Sequence, residues 1–176
     1  MALDAVGIGY RRARDGDARA VTALLRGIYA EWRYFVGDSP GSERNLALRI
    51  AHDDTDRSYY GVATMAGDIV GWAELHRSQA WRLEHVAVLT LAVAPAVRGH
   101  GVGRGLLRAC YEWCRAVGAL KISLHVRDGN EAALRLYLSE GFELEGRERG
   151  QIRLGPERAA GDGPFEDNIV MGKWLD

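Results

Sequence analysis

Apolar residues recur along this chain with two different periods, and the two periods alternate. Residues 8–13 have the composition of a strand, and apolar side chains then return every three or four positions as far as Ile28. This spacing predicts an amphipathic helix, for which Asp15 is a candidate capping residue. Apolar residues between positions 46 and 50 indicate a second, shorter helix. The chain therefore begins with one strand and two helices.

Three strands are predicted next. Residues 59–65 and 69–75 are strand-like runs, and residues 66–68 between them form the short, glycine-containing connection that is typical of a hairpin. Residues 86–93 read VAVLTLAV, which is apolar at every position except one threonine. Such a run predicts a central strand that is covered on both faces.

The second half of the chain alternates helices with strands. Residues 101–117 place apolar side chains on one stripe and charged side chains on another, which predicts an amphipathic helix. Residues 121–126 indicate a further strand. Asp128 and Glu131 have the spacing of a capping box at the start of the next helix, and Gly141 marks its end.

The last two strands are predicted at residues 142–145 and 168–174, so the element order is β-α-α-β-β-β-α-β-α-β-β. Because residues 86–126 form a strand-helix-strand unit, one pair of strands should be parallel within an otherwise antiparallel sheet. We see no linker or internal repeat. The sequence therefore predicts a single α/β domain over residues 1–176, with a mixed, mostly antiparallel sheet of about seven strands flanked by about four helices.

Charge and cysteine content narrow the range of functions. The 23 basic and 24 acidic side chains nearly cancel, so no overall field attracts nucleic acid or an anionic membrane. The first residues contain no apolar run of the length that a signal peptide or membrane span needs, and we expect a cytoplasmic protein. Cys110 and Cys114 lie on one face of the predicted helix and are interpreted as buried apolar residues, with a disulfide or a metal as alternatives. We expect no metal.

The residues between the apolar strand and the amphipathic helix indicate an anion site. Residues 95–103 carry glycine at positions 99, 101 and 103, where the missing side chains let backbone N–H groups approach a ligand. The helix that follows adds the positive end of its dipole, and Arg98 and Arg104 add charge that can contact phosphate oxygens. A tight turn that merely needs glycine is the alternative. We interpret the loop as a pyrophosphate site.

This loop differs from two common nucleotide motifs. No Gly-Lys-Ser/Thr follows, so it is not a Walker P-loop, and its G-x-G-x-G spacing differs from the G-x-G-x-x-G of dinucleotide-binding folds. The acidic residue that those folds carry about 20 residues later is also missing. A phosphotransferase that uses the loop for ATP is therefore disfavoured.

A second group of residues lies on the helix that follows position 126. Asn130, Ala133 and Tyr137 are spaced i, i+3 and i+7, which places them on one stripe. By itself this pattern leaves two interpretations open. Tyr137 could be a core residue whose hydroxyl reaches water, and Asn130 could be a helix-start residue only.

Together the two groups resemble the GNAT superfamily of acyl-CoA N-acyltransferases. The R/Q-x-x-G-x-G/A loop of that family appears here as residues 98–103, and its N-x-x-A-x-x-x-Y helix appears as Asn130, Ala133 and Tyr137, followed by a Gly-Phe pair. The element order resembles the family over most of the chain. Within the family, the sequence looks most like bacterial single-domain amino-acid and polyamine N-acetyltransferases.

The resemblance implies a site for acetyl-CoA. The loop would hold the pyrophosphate of CoA, and the backbone of residues 91–93 would pair with the pantetheine arm where the fourth and fifth strands part. A homodimer is compatible with the resemblance. The predicted cofactor-binding residues are Leu91, Ala92, Val93, Arg98, Gly99, His100, Gly101, Val102, Gly103, Arg104, Asn130, Ala133 and Tyr137.

Transfer of the acetyl group needs a proton donor and a proton acceptor. Tyr137 is the candidate donor to the departing thiolate, because a positioned phenol can protonate sulfur while thiolate character is high. Many family members carry a glutamate in the fourth strand, where this chain has Ala87. His85 is our candidate acceptor, with Glu84 beside it and Glu74 on the preceding strand. A structural histidine, with solvent accepting the proton, is the alternative.

The amine is expected to bind between residues 29–42, the strand end near Glu74 and the loop at residues 155–165. Acidic side chains there could hold an ammonium group, although exposed carboxylates are usually solvated surface. Aromatic side chains could form an apolar or cation-binding wall, although core packing is their commoner role. The acidic candidates are Glu31, Asp38 and Glu166, and the aromatic candidates are Trp32, Tyr34 and Phe35.

The sequence thus predicts an enzyme that moves an acetyl group from acetyl-CoA directly to a primary amine of a small molecule or a peptide N-terminus. The reaction is expected to be sequential, through a ternary complex. The alternative is a sensor or scaffold of the same fold that binds acetyl-CoA without catalysing a reaction, and the missing strand carboxylate is its support.

Overall fold

The computed structural model describes residues 7–155 and 163–175. Within them the strands and helices follow one another in the predicted order, with short 3-10 turns between some of them. The strands are β1 (Ile8–Arg12), β2 (Ser58–Met65), β3 (Asp68–Arg77), β4 (Val86–Val93), β5 (Lys121–Arg127), β6 (Glu143–Arg153) and β7 (Phe165–Trp174), and the helices are α1 (Ala18–Tyr29), α2 (Glu43–Ala51), α3 (Val102–Ala116) and α4 (Glu131–Ser139).

The seven strands form one sheet in the order β1-β2-β3-β4-β5-β7-β6. Every neighbouring pair is antiparallel except β4 and β5, which are parallel because α3 connects them as a crossover. Their pairing covers only three positions, from Val86 with Lys121 to Val88 with Ser123. Beyond Val88 the two strands part, and a gap opens in the middle of the sheet. The predicted fold class and parallel crossover are confirmed.

Helices cover the two faces of this sheet. On one face α1 and α2 pack through Val21, Ile28 and Leu46 against β2, β3 and Ala92. On the other face α3 and α4 pack against β4 and β5 around Leu106 and Leu107. The two layers leave the gap between β4 and β5 accessible from both sides, which is where a ligand can cross the sheet.

The prediction that β4 is covered on both faces is wrong. Ala87 and Leu89 are buried beneath α3, but Val88 is 52% exposed and Thr90 is also exposed on the opposite face. The helices α1 and α2 cover only the far end of that face, at Ala92. The apolar run therefore reflects a strand that lines a cavity along part of its length, which an isolated strand sequence does not distinguish from full burial.

Two predicted helix caps are wrong, although the helices are present. Residue Asp15 begins a 3-10 turn, and α1 starts only after Asp17, whose carboxylate pairs with Arg11 at 2.6 Å. Helix α4 is capped by Asn130, whose side chain accepts a hydrogen bond from the Ala133 N–H at 3.2 Å. Asp128, the predicted cap, pairs instead with Arg147 at 3.0 Å. An arginine thus engages the carboxylate of Asp128, whereas Asp15 lies in the 3-10 turn that precedes α1.

The last hairpin is longer than its apolar residues indicated. Strands β6 and β7 extend to 11 and 10 residues, because polar edge residues join the ladder, which hydrophobic periodicity does not detect. The two cysteines are free and fully buried in α3, and burial raises the pKa of both thiols. None of the helices in the described ranges has the length and apolarity that crossing a bilayer requires.

Candidate active site

A cavity of about 710 Å³ occupies the gap between β4 and β5 and reaches both faces of the sheet. Its lining includes residues 88–93 of β4, the start of α3, one side of α4, and His125 on β5. On the opposite face it is bounded by Tyr34 and Phe35, from the irregular segment between α1 and α2. We call residues 30–42 the aromatic segment. One continuous space thus joins the glycine loop to this segment.

The free edge of β4 presents backbone groups to the cavity. The Ala94 N–H donates to the Val70 carbonyl at 2.9 Å, and the register continues with Ala92 opposite Trp72. Because backbone groups of successive residues alternate in direction along an antiparallel pair, the N–H groups of Leu91 and Val93 point away from β3 into the gap. Of the predicted residues 91–93, Ala92 uses its backbone for the sheet, and the other two can bind a ligand.

The glycine loop has the shape that an anion site needs. Gly99 and Gly101 both have φ of 78°, in the left-handed region that other residues rarely adopt. Gly103 serves a different purpose, because a Cβ there would lie 2.9 Å from Leu136 Cδ2 on α4. Two of the glycines therefore permit the turn, and the third permits close packing of α3 against α4.

The N-terminus of α3 offers unpaired backbone donors. Its N-cap is Gly101, which has no side chain to satisfy the first N–H groups, so the amides of Val102 and Gly103 are available to an anion. His100 lies beside them, with its Nδ1 2.8 Å from the Arg98 carbonyl oxygen. Arg104 lines the same end of the cavity and donates to Glu140 at 2.5 Å. This end of the cavity suits a pyrophosphate.

Arg98 does not place its guanidinium group on the loop. The side chain turns toward the aromatic segment, where it donates to both carboxylate oxygens of Glu31, at 2.8 and 2.6 Å, and to the Tyr34 hydroxyl at 3.1 Å. It also donates from Nε to the Val93 carbonyl at 3.0 Å. The hydrogen bond from Arg98 lowers the pKa of Glu31. The side chain therefore links β4 to the aromatic segment, and its contact with phosphate stays a prediction.

Helix α4 brings its predicted stripe to the cavity. Asn130, Ala133 and Tyr137 all line it, although the amide side chain of Asn130 caps the helix. Tyr137 is 6% exposed and packs against Phe142 with ring centroids 5.4 Å apart. Burial, reinforced by the nearby Cys110 thiol, raises the pKa of the Tyr137 hydroxyl. At neutral pH the group is therefore a protonated hydrogen-bond donor.

The structure does not bring Glu84 or His85 to this cavity. His85 lies before the first residue of β4, at the end of the strand away from the glycine loop, and stacks on Trp174 with centroids 6.0 Å apart. Its carbonyl accepts hydrogen bonds from the backbone of Leu120 and Lys121. Glu74 points to the same face as Thr90, but it is paired with Arg49 and His76.

His125 and Asn168 are cavity residues that the sequence interpretation missed. Ile122, Leu124 and Val126 of β5 pack beneath α3 and α4, so strand alternation turns His125 toward the opposite face of the sheet. Asn168 lies on the neighbouring strand β7 and donates to Glu148 at 2.8 Å. Alternation within residues 121–127 was the available signal for His125. Asn168 required the strand order, which the sequence did not reveal.

The acidic candidates for an ammonium site are mostly engaged elsewhere. Glu31 is paired with Arg98 in a partly exposed ion pair, and Glu166 is paired with Arg127 in a buried one. Asp38 is exposed and does not belong to the cavity lining. Most of the predicted loop at residues 155–165 lies outside the described residues. The aromatic candidates fare differently, because Tyr34 and Phe35 do line the cavity.

The sequence matches a known protein family and several of its members. Residues 23–142 match the model of the acetyltransferase (GNAT) family. The chain is 35% identical over 124 residues to the N-alpha-acetyltransferase RimI of Mycobacterium tuberculosis, which covers 70% of this chain and 75% of the relative. It is 30% identical to the L-amino acid N-acetyltransferase AaaT of Escherichia coli, over 64% of this chain and 65% of that protein.

Solved structures agree with these sequence matches. A GNAT-family acetyltransferase from Streptococcus pneumoniae superposes with a TM-score of 0.85 and 25% identity, over 96% of this chain and all of the other. A putative acetyltransferase from Salmonella typhimurium, yncA, solved with acetyl-CoA as its cofactor, has the same fold, with a TM-score of 0.83 and 20% identity over 97% and 95% of the two chains. With the glycine loop, the parted strands and the buried tyrosine in place, the chain belongs to the GNAT family of acetyltransferases.

Proposed function

We propose that this protein is an N-acetyltransferase that moves the acetyl group of acetyl-CoA directly to a primary amine of a small molecule or a peptide N-terminus. The observation that carries the proposal is the cavity that crosses the sheet through the gap between β4 and β5. A donor bound on the side of α3 and α4 and an amine bound on the side of α1 meet within it, which is the arrangement that direct transfer requires.

The donor half offers matching groups for acetyl-CoA. The amides at the start of α3 and the cation of Arg104 suit the pyrophosphate. The N–H groups of Leu91 and Val93 along the free edge of β4 suit the amide carbonyls of the pantetheine arm and the thioester oxygen. Tyr137 lies in the cavity wall, where its O–H can reach the sulfur of a thioester carried along that edge.

In the proposed reaction the amine nitrogen attacks the thioester carbon, and a C–N bond forms while negative charge develops on the carbonyl oxygen. A backbone N–H of β4 holds that charge. The C–S bond then breaks, its electron pair leaves with sulfur, and Tyr137 donates a proton to the thiolate. The nitrogen loses its proton to His125, directly or through water; His125 then releases that proton to solvent, and solvent reprotonates Tyr137. We assign this role to His125 rather than His85 or Glu84 because His125 lines the cavity and they do not.

The test measures thiol release from acetyl-CoA with a panel of primary amines, and mass spectrometry of the product. We expect amine-dependent release and an N-acetylated product. Initial rates at varied concentrations of both substrates should give intersecting double-reciprocal lines, as a ternary complex requires. Parallel lines would indicate an acetyl-enzyme instead. Thermal stabilisation by acetyl-CoA without turnover of any amine would support the sensor.

A further inference from the structure

The half of the cavity that faces α1 has an apolar lining. Its walls are the side chains of Ile28, Tyr34, Phe35, Val36 and Val88. The polar side chains of Thr90, His125 and Asn168 interrupt this surface, as do two arginines. The amine of the acceptor must lie near these residues if it is to reach a thioester held along β4, so the rest of the acceptor contacts an apolar and aromatic wall.

Among the residues that the structure describes, this half of the cavity carries no negative charge that would attract a second cation. In the described part of the chain, no aspartate or glutamate belongs to the cavity lining. The two arginines on this side, Arg98 and Arg127, are each paired with one carboxylate, and neither carboxylate belongs to the cavity lining. An additional ammonium group would lose hydration here without gaining a counter-ion.

The wall is held in a fixed conformation. Phe35 stacks on Tyr29 with centroids 4.5 Å apart, and the guanidinium of Arg98 lies 4.7 Å from the centre of the Tyr34 ring. Trp32 adopts φ of 53°, and its carbonyl accepts a hydrogen bond from Arg127 at 3.0 Å. Because two ion-paired arginines fasten the aromatic segment, its apolar surface is organised before a ligand binds.

The proton chemistry of the site favours one kind of amine. His125 is the histidine in the lining, and no carboxylate in the described ranges accompanies it. The α-amine of a peptide titrates near 7.7–8.0 and an alkyl amine such as that of lysine near 10.4, so at neutral pH the reactive, uncharged fraction of the peptide α-amine is larger by a factor on the order of 10². An amine with the lower pKa therefore depends less on a general base for its deprotonation.

We infer that the acceptor is an α-amine flanked by a large apolar or aromatic side chain and lacking a second positive charge. A free hydrophobic amino acid and a peptide that begins with one share this chemistry. A polyamine does not have it. The inference rests on the proposed function, because it specifies the acceptor for the same site.

The experiment compares matched acceptors by kcat/KM for thiol release. We expect phenylalaninamide to exceed both alaninamide and lysinamide by about ten-fold or more, as loss of a hydrophobic contact or burial of a charge predicts. Free phenylalanine and a Phe-Ala dipeptide, run in parallel, distinguish the two sources of the amine. Preference for spermidine or lysinamide would overturn the inference but leave the proposed function intact. Binding of acetyl-CoA without thiol release for any amine would contradict both the inference and the proposed function.

Two variants locate the preference on the wall. Phe35→Ala should reduce the ratio of phenylalaninamide to alaninamide about ten-fold, while acetyl-CoA binding, which reports folding, is unchanged. Trp81→Ala removes an exposed aromatic side chain outside the cavity and should leave the ratio unaltered. An unchanged ratio in Phe35→Ala would contradict the assignment of the acceptor to this wall.

Discussion

The two halves of the cavity are constructed in different ways. The donor half is made mainly from neighbouring residues of one strand-loop-helix unit, with Tyr137 of α4 in its wall, and most of its candidate ligand-binding groups are backbone amides. The acceptor half is assembled from side chains of α1, the aromatic segment, β4, β5 and β7. A site made of backbone needs glycines and a helix start, whereas a site made of side chains can change its specificity without changing the fold. The comparison explains how one fold can keep its donor and vary its acceptor.

The largest effect is expected from Tyr137, which lies on the donor side and which we propose acts in the chemical step. Tyr137→Phe should lower kcat by about 10²-fold, because the phenyl ring preserves packing against Phe142 but has no proton to donate. Acetyl-CoA affinity, measured by calorimetry, should stay within two-fold of wild type, as roughly expected when an interaction acts in the transition state. Unchanged kcat would assign protonation of the thiolate to solvent.

Gly101 tests the claim that the donor half depends on backbone shape. Gly101→Val places a β-branched residue at φ of 78° and should destabilise the loop by roughly 1–2 kcal/mol. The corresponding weakening of acetyl-CoA binding is about ten-fold. Gly27→Ala is the matched control, because a Cβ on this residue of α1 meets no atom within 4 Å. Its unfolding midpoint should rise slightly, with acetyl-CoA affinity unchanged.

Arg98 belongs to the donor motif in sequence and to the acceptor half in structure. Arg98→Gln should raise the KM of the amine about five-fold, because it releases Tyr34 and Glu31, and it should change acetyl-CoA affinity less than about two-fold. Arg104→Gln should show the opposite pattern, since Arg104 lines the donor end. If Arg98→Gln greatly weakens acetyl-CoA binding and leaves the KM of the amine unchanged, the result would support the phosphate contact that the sequence motif predicted.

The smallest effect concerns pH and the Arg98–Glu31 ion pair. The pKa of Glu31 is lowered in the folded protein. The ion pair therefore stabilises the fold fully above the pKa of glutamate in the unfolded chain, near 4.3, and this stabilisation disappears as the pH falls through the pKa of Glu31 in the folded protein. Urea unfolding at pH 7 should show that Glu31→Gln lowers the free energy of unfolding by about 1 kcal/mol or less, because the ion pair is partly exposed. The difference from wild type should shrink below about pH 4. Glu131→Gln, at an exposed helix pair, is the control.

Sequence reasoning succeeded where structure depends on neighbouring residues. The glycine loop and the Tyr137 stripe each lie within ten residues, so their geometry follows from a turn and a helical period. The ion pair of Arg98 was not predicted, because the motif does not reveal that Glu31, 67 positions away, accepts its hydrogen bonds. His125 and Asn168 come together only through the β5–β7 pairing. The exposure of Val88 follows from the position of α1 and α2, which cover that face of β4 only at Ala92, and the sequence of one strand does not encode it.

The central claim is that acetyl-CoA binds along the free edge of β4 and at the start of α3. Hydrogen–deuterium exchange of the wild-type protein, with and without acetyl-CoA, tests it without an acceptor. The account predicts slower exchange of the backbone amides at residues 89–93 and 99–104, while β6 at the far edge of the sheet is unchanged. Binding of acetyl-CoA with no slowing in residues 99–104 would contradict it.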